Sequence, residues 1–165
     1  YVYKNNLMNG VNASRFSPGG TLNRAMMVTM LYRMAGSPAV SGSSAFSDVP
    51  SGKWYSDAVQ WASANGVVNG VGRDRFAPEA QITREQMASM MMRYAQFNQY
   101  NTSKSADLSA FNDAGSISSW ALESMKWANA AGLINGRTAS TIAPQGTATR
   151  AEAATILMRF CEMSK

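Results

Sequence analysis

The feature that most restricts what this chain can fold into is that it repeats itself. Arg84 lies 60 residues after Arg24, and the same shift pairs Phe76 with Phe16, Pro78 with Pro18, Gly70 with Gly10 and Arg93 with Arg33. Arg150 lies 66 residues after Arg84, and that shift pairs Trp127 with Trp61, Gly136 with Gly70, Pro144 with Pro78 and Arg159 with Arg93. A unit of this length cannot bury an apolar face alone, so stacked copies must share one core. The expectation is a single domain over residues 1–165, with repeats at about 1–37, 46–97 and 111–163. The first repeat lacks its opening, because Tyr1 aligns with Trp61.

Each copy contains a helix start. Thr83 with Gln86, and Thr149 with Glu152, match the capping box, in which a hydroxyl and the side chain three residues on satisfy each other's backbone amides. Asn23 is a good cap without that partner, since Met26 stands there. An arginine follows the cap every time: Arg24, Arg84 and Arg150. A cation is mildly unfavourable at the positive end of a helix. Its recurrence points to an anion site, where amides and a guanidinium act together. The alternative is an arginine paired with a local carboxylate or lying along the surface.

The periodicity predicts long helices near 24–35, 83–97 and 149–162, packed through Met30, Leu31, Met90, Met91, Ile156 and Leu157. Met87, Met90, Met91 and Tyr94 recur at helical spacing, so the 12 methionines read as packing rather than as a metal or groove device. Shorter helices are expected from Trp54 to Asn65 and from Trp120 to Ala131, and residues 1–9 read as the tail of another ending at Gly10. Residues 39–44 and 98–110 read as linkers. The one cysteine, Cys161, aligns with Ala95 and Ala35 and is expected to face the core. No histidine is present, which removes the commonest general base and metal ligand, and no cofactor or metal is expected. The net charge of +5 is spread along the chain, favouring an anionic partner but not a nucleic-acid stripe. No apolar run reaches the ~18 residues of a membrane helix. No leader is seen at the start, so the chain is expected to be a mature segment or an excised piece of a longer protein.

The ordered block Phe46-Ser47-Asp48-Val49, Trp54, Ala58-Val59, Gly66-Val67-Val68-Asn69-Gly70, Phe76-Ala77-Pro78 and Ile82-Thr83-Arg84-Glu85 resembles an S-layer homology motif. The resemblance covers essentially the whole chain, with one strong copy, one drifted copy and one truncated copy. It implies an all-α domain in which three long helices form a central bundle with pseudo-threefold symmetry, while short helices and loops project outward. It implies a bacterial cell-surface location and non-covalent anchoring to a secondary cell wall polysaccharide linked to peptidoglycan, often carrying pyruvate ketals on N-acetylmannosamine. Binding would lie in grooves between motifs, with Arg24, Arg84 and Arg150 contacting the anion.

The residues themselves fit that chemistry, with alternatives. Trp61 and Trp127 offer a flat face for a sugar ring, or pack against the long helices. Asp48 and Asp113 accept from sugar hydroxyls, or hold the loop before the short helix. Gly70 and Gly136, with Gly10, serve helix ends and close backbone approach. Arg84, in the best-preserved box, is expected to bind without being needed by the core. Arg24 is expected to be exposed at a half-built site, so the best-formed groove should involve the second repeat. The third loop has drifted: Ile142 stands for Phe76, and Arg137-Thr138-Ala139 for Val71-Gly72-Arg73. The competing reading is an assembly module, a homo-oligomer formed through the open faces of the first repeat. Catalysis is not expected: Asp57, Asp74, Glu79 and Glu85 offer carboxylates, but no independent cluster stands out.

Overall fold

A computed structural model describes residues 1–12 and 14–163. Among the described residues five α-helices carry the fold: α1 (Arg24–Met34), α2 (Ser56–Ala64), α3 (Arg84–Phe97), α4 (Leu122–Ala130) and α5 (Arg150–Met163), with 3-10 turns at Ala114–Ser116 and Ser119–Ala121. The described residues form no strand, only isolated bridges, among them Thr21 with Thr149, Asn23 with Gln81, and Thr83 with Thr147. The architecture is helical, as the periodicity requires.

The long helices begin where their caps dictate. Asn23 accepts from Met26 N at 2.8 Å. Thr83 and Gln86 form the reciprocal box, and Thr149 and Glu152 form another, with Thr149 N donating to Glu152 at 2.7 Å and Glu152 N to Thr149 Oγ1 at 3.2 Å. The residue ahead of each cap is buried: Leu22, Ile82 and Ala148. Their backbones close a ring. Leu22 N donates to Ala148 O, Ala148 N to Ile82 O and Ile82 N to Leu22 O, each at 3.0 Å.

Met30, Leu31, Met90, Met91, Ile156 and Leu157 all lie in one buried cluster. Helix α1 packs on α2 and α3, α3 packs on α4, and α3 meets α5 where the Tyr94 and Phe160 rings stand 5.7 Å apart. The second linker is anchored rather than loose, through buried Leu108 and a bond from Ala106 N to Lys126 O. Cys161 faces the core, partly buried and packed against its edge.

Two expectations about helices need correction. Residues 1–9 form turns, not a helix tail. They keep the bonds of a helix end, with Asn5 N on Tyr1 O and Leu7 N on Val2 O, matching Asn65 N on Trp61 O and Val67 N on Ala62 O. Helix propagation needs successive bonds of the first kind. Here the backbone turns at Asn6, whose φ of +56° takes the place of the left-handed Gly66. The short helices also start later than expected. Ser56 Oγ accepts from Lys53 N and donates to Pro50 O, which holds residues 50–55 as a turn. Trp54 and Trp120 therefore sit ahead of α2 and α4 instead of inside them.

Candidate functional site

The three helix-leading arginines are not surface groups. Arg24, Arg84 and Arg150 are 3%, 4% and 6% exposed. Each turns its guanidinium into the loop of another segment. Nε donates to the carbonyl of Phe76 (2.8 Å), Ile142 (2.9 Å) and Phe16 (2.9 Å) respectively. Nη2 donates to the carbonyl of Asn69, Asn135 and Asn9. Arg24 thus clamps the middle loop, Arg84 the last and Arg150 the first. This overturns two expectations: Arg24 is buried, and Arg84 is part of what holds the core's loops in place. A planar fork with several fixed donors suits this task, and an extended guanidinium can serve carbonyls and an outside anion together.

The third nitrogen separates them. Nη1 of Arg84 donates to Glu152 at 3.1 Å. Among the described residues, Nη1 of Arg24 and of Arg150 has no acceptor. Those two rest on rings instead, Arg24 over Phe76 at 4.6 Å and Arg150 over Phe16 at 4.9 Å. Ile142 removes that ring under Arg84. Burial pushes the Arg24 guanidinium down to about 10, with Asp48 acting weakly against the shift. Burial also lowers Arg150 and Arg93, with no carboxylate opposing it. All three stay charged at neutral pH, Arg24 and Arg150 buried and Arg93 half-buried, and all short of an anionic partner.

Three grooves run past these arginines. The largest, about 370 Å³, lies on the α3 face made by Gln86, Ser89, Met90 and Arg93, between Arg24, the Asn69–Val71 backbone and Trp120. A smaller one, about 200 Å³, lies on the α1 face, between Arg150, Asn9, Gly10 and Trp54. The third, about 340 Å³, lies on α5 beside Arg84 and Asn135–Arg137 and has no tryptophan in its lining. Inside it, Arg137 Nη2 donates to Glu152 at 3.0 Å and to Thr147 O at 2.9 Å. A carboxylate of the chain itself already stands between two arginines there.

The remaining residues singled out in the sequence hold the walls. Asp48 accepts from Phe76 N and Ala77 N, both at 2.8 Å, and Asp113 from Ile142 N and Ala143 N, both at 2.8 Å. These amides flank left-handed residues, Ala77 at φ +54° and Ala143 at φ +51°, a conformation that a side chain disfavours. The carboxylates brace that strained turn. At Asp48 partial burial opposes ionisation, but the two amides and Arg75 outweigh it and hold the carboxyl below its usual range. At Asp113 the amide of Ile142 leads the same downward shift. A Cβ on Gly70 would stand 2.6 Å from Arg75 O, and one on Gly136 would collide with Thr138 O and the Phe111 ring. Both glycines are close-approach positions that let loop backbone line a groove.

Trp61 and Trp127 are 6% and 1% exposed and pack inside, Trp61 with its ring 5.5 Å from Phe97 and 5.7 Å from Tyr32. They line none of the three grooves. The sequence reading missed Trp54 and Trp120, 58% and 55% exposed, which do. The signal was present: both fall outside the apolar period of Ala58, Val59, Trp61 and Ala62, and they pair at the shift of 66. Glu85, considered among possible catalytic carboxylates, is buried and committed. It accepts from Ser118 N (2.9 Å), Ser118 Oγ (2.8 Å) and Gln145 Nε2 (2.7 Å), and so fixes the turn that carries Trp120. No group of three or more acidic, cysteine or histidine side chains among the described residues could hold a metal.

The fold thus presents open grooves, each with a buried arginine, a polar helix face and loop backbone. Residues 45–88 and 110–154, more than half of the chain, match the S-layer homology domain, and the chain belongs to that family. Similar proteins include the exoglucanase XynX of Acetivibrio thermocellus, 35% identical over 96% of this chain and 14% of the relative's length. The amylopullulanase of Thermoanaerobacterium thermosulfurigenes is 35% identical over 96% of this chain and 8% of its own length. The surface-layer 125 kDa protein of Lysinibacillus sphaericus is 31% identical over 89% of this chain and 12% of its own. The chain thus spans under a sixth of these proteins, and the relatives named as enzymes match it only over this region. Domains of this family are non-catalytic modules that attach surface proteins to cell-wall polymers, and the chain is a cell-surface, wall-associated one. No helix among the described residues is long and apolar enough to cross a membrane.

Proposed function

We propose that the chain is a non-covalent anchoring module that binds an anionic, pyruvylated secondary cell wall polysaccharide in its arginine-led grooves. The observation that carries this reading is Arg24: buried, charged, held on two carbonyls, and with Nη1 left over beside the largest groove. A pyruvate ketal offers a carboxylate for that nitrogen and for Arg93, and a methyl for the apolar wall at Met90. Trp120, rather than Trp61 or Trp127, supplies the sugar-facing ring. Asp48, Asp113, Gly70 and Gly136 act through the shape of the loops.

The same reading takes residues 1–165 as one domain of three motifs, arranged with pseudo-threefold symmetry about a bundle of α1, α3 and α5. Supporting it are the closed ring of Leu22, Ile82 and Ala148, and the repetition of one contact pattern by the three arginines. A pull-down with purified cell wall, before and after chemical removal of pyruvate, tests the function. Binding that survives removal unchanged would rule out the pyruvate as the recognised group. A second reading, self-assembly, is favoured by exposed Tyr3 and Val11 near the first loop. Light scattering that shows a concentration-independent monomer removes it.

A further inference from the structure

The face of α3 that lines the largest groove carries a side chain that its own fold does not use. Ser89 is 4% exposed, and its Oγ has no hydrogen-bond partner among the described residues. Its counterparts in the other two grooves do. Thr29 Oγ1 donates to Ala25 O at 2.8 Å, and Thr155 Oγ1 donates to Ala151 O at 3.0 Å. Each bonds four residues back along its helix, as hydroxyls in helices commonly do. The carbonyl in the same relation to Ser89 is that of Glu85, and no such bond is made. A buried hydroxyl left unpaired carries a desolvation cost, so a partner from outside the chain accounts for its retention.

Its surroundings say what kind of partner. Ser89 lines the groove together with Arg24 and Arg93, two cations whose charge burial makes harder to sustain. Trp120 lines the same groove, and Met90 adds an apolar patch. A ligand resting there must be anionic, rich in oxygen and flat on one side, which describes one acidic sugar residue. We propose that Ser89 Oγ is a ligand-contacting, specificity-determining group of this groove, pairing with an oxygen of the acidic sugar whose carboxylate Arg24 and Arg93 hold. The inference rests on the polysaccharide-binding reading above. It makes the three grooves unequal: this one has a hydroxyl to offer, whereas the α1 and α5 grooves have spent theirs on the helix.

The test uses the full chain and a synthetic pyruvylated N-acetylmannosamine glycoside, with binding read by calorimetry and folding by thermal melting. Ser89→Ala is expected to weaken binding about three- to tenfold, the fold-change that corresponds to one lost hydrogen bond. The same variant should melt at the wild-type temperature or above it, because a buried unpaired group has been removed. Ser89→Thr should also weaken binding, as its hydroxyl turns to the helix in the manner of Thr29. Wild-type binding with Ser89→Ala within twofold of it overturns the inference and leaves the polysaccharide reading standing. A clear drop in melting temperature for Ser89→Ala also overturns it, since the hydroxyl would then have a structural partner. No binding by the wild-type chain to the glycoside or to whole pyruvylated wall polymer overturns both.

Discussion

Arg24 and Arg84 occupy the same place in their helices and give the same two nitrogens to the same kind of loop carbonyl, yet they end in different electrical states. Under Arg24 lies the Phe76 ring, and Nη1 has no acceptor among the described residues; beside Arg84 stands Glu152, which takes Nη1 and also Arg137. The difference comes from one position three residues into the helix. Met26 stands there in α1, Gln86 in α3 and Glu152 in α5. Glutamate suits the cap because it satisfies the Thr149 amide. Once there, it also satisfies the neighbouring groove's arginine. The lesson is that the capping choice of one helix sets the charge of the groove beside it.

The largest expected effect tests what the two arginines share. Arg24→Ala and Arg84→Ala each remove a buried, well-packed side chain and its hydrogen bonds between segments, two for Arg24 and three for Arg84. Each should lower stability by roughly 3 kcal/mol, read by chemical denaturation. A loss under about 1 kcal/mol in either would show the clamp to be incidental. Studied where both remain folded, Arg24→Ala should abolish binding to pyruvylated wall and Arg84→Ala should leave most of it.

The second prediction concerns the loop braces that both grooves need. Folding holds Asp48 and Asp113 below the ordinary 3.8, so each contributes stability that is present above that value and lost as pH falls through the depressed folded one. Melting temperature should be flat from neutral pH to about 5, then decline with onset near 4. Asp48→Asn should blunt that decline, since its protonation state no longer changes. An identical acid profile for wild type and variant would remove Asp48 from the linkage.

Trp120→Ala comes next. It should weaken wall binding by roughly 1–2 kcal/mol with little change in melting, because the ring is exposed in the free chain. Trp127→Ala should do the reverse, opening a cavity in the core while leaving the groove's residues in place. Reversed outcomes for the two would return the sugar platform to the buried tryptophans.

Much of this architecture was legible before any coordinates. The caps at Asn23, Thr83 and Thr149 fixed the starts of three helices within a residue, because capping is local chemistry read from adjacent positions. The core face of Met87, Met90, Met91 and Tyr94 followed from period alone. What could not be read was direction in space. An arginine after a cap looks the same in sequence whether its fork points to solvent or to a carbonyl more than fifty residues away, as Arg24 does to Phe76. Trp61 and Trp54 are equally good platforms on paper, and only the late start of α2, set by Ser56 bonding to Pro50 and Lys53, leaves Trp54 outside. Ser89 gave no signal at all, since an unmade hydrogen bond has no sequence signature.

The smallest effect is the most direct on the opening contrast. Glu152→Gln keeps the side-chain oxygen that caps Thr149, as Gln86 does for Thr83. It removes the charge between Arg84 and Arg137. Glu152 is held below the usual carboxylate range: partial burial opposes this, while the Thr149 amide and Arg137 outweigh it. Its salt bridges therefore favour folding at neutral pH, but its side chain is 29% exposed, so solvent discounts them. Stability should fall by less than about 1 kcal/mol. The groove beside Arg84 would then hold a buried arginine with an uncommitted nitrogen, the state already present beside Arg24. Titration with the pyruvylated glycoside should show an added weak site, weaker than that beside Arg24 because no tryptophan lines it. If the stoichiometry stays at the wild-type value, the internal carboxylate is not what distinguishes the grooves, and the missing ring under Arg84 becomes the better explanation.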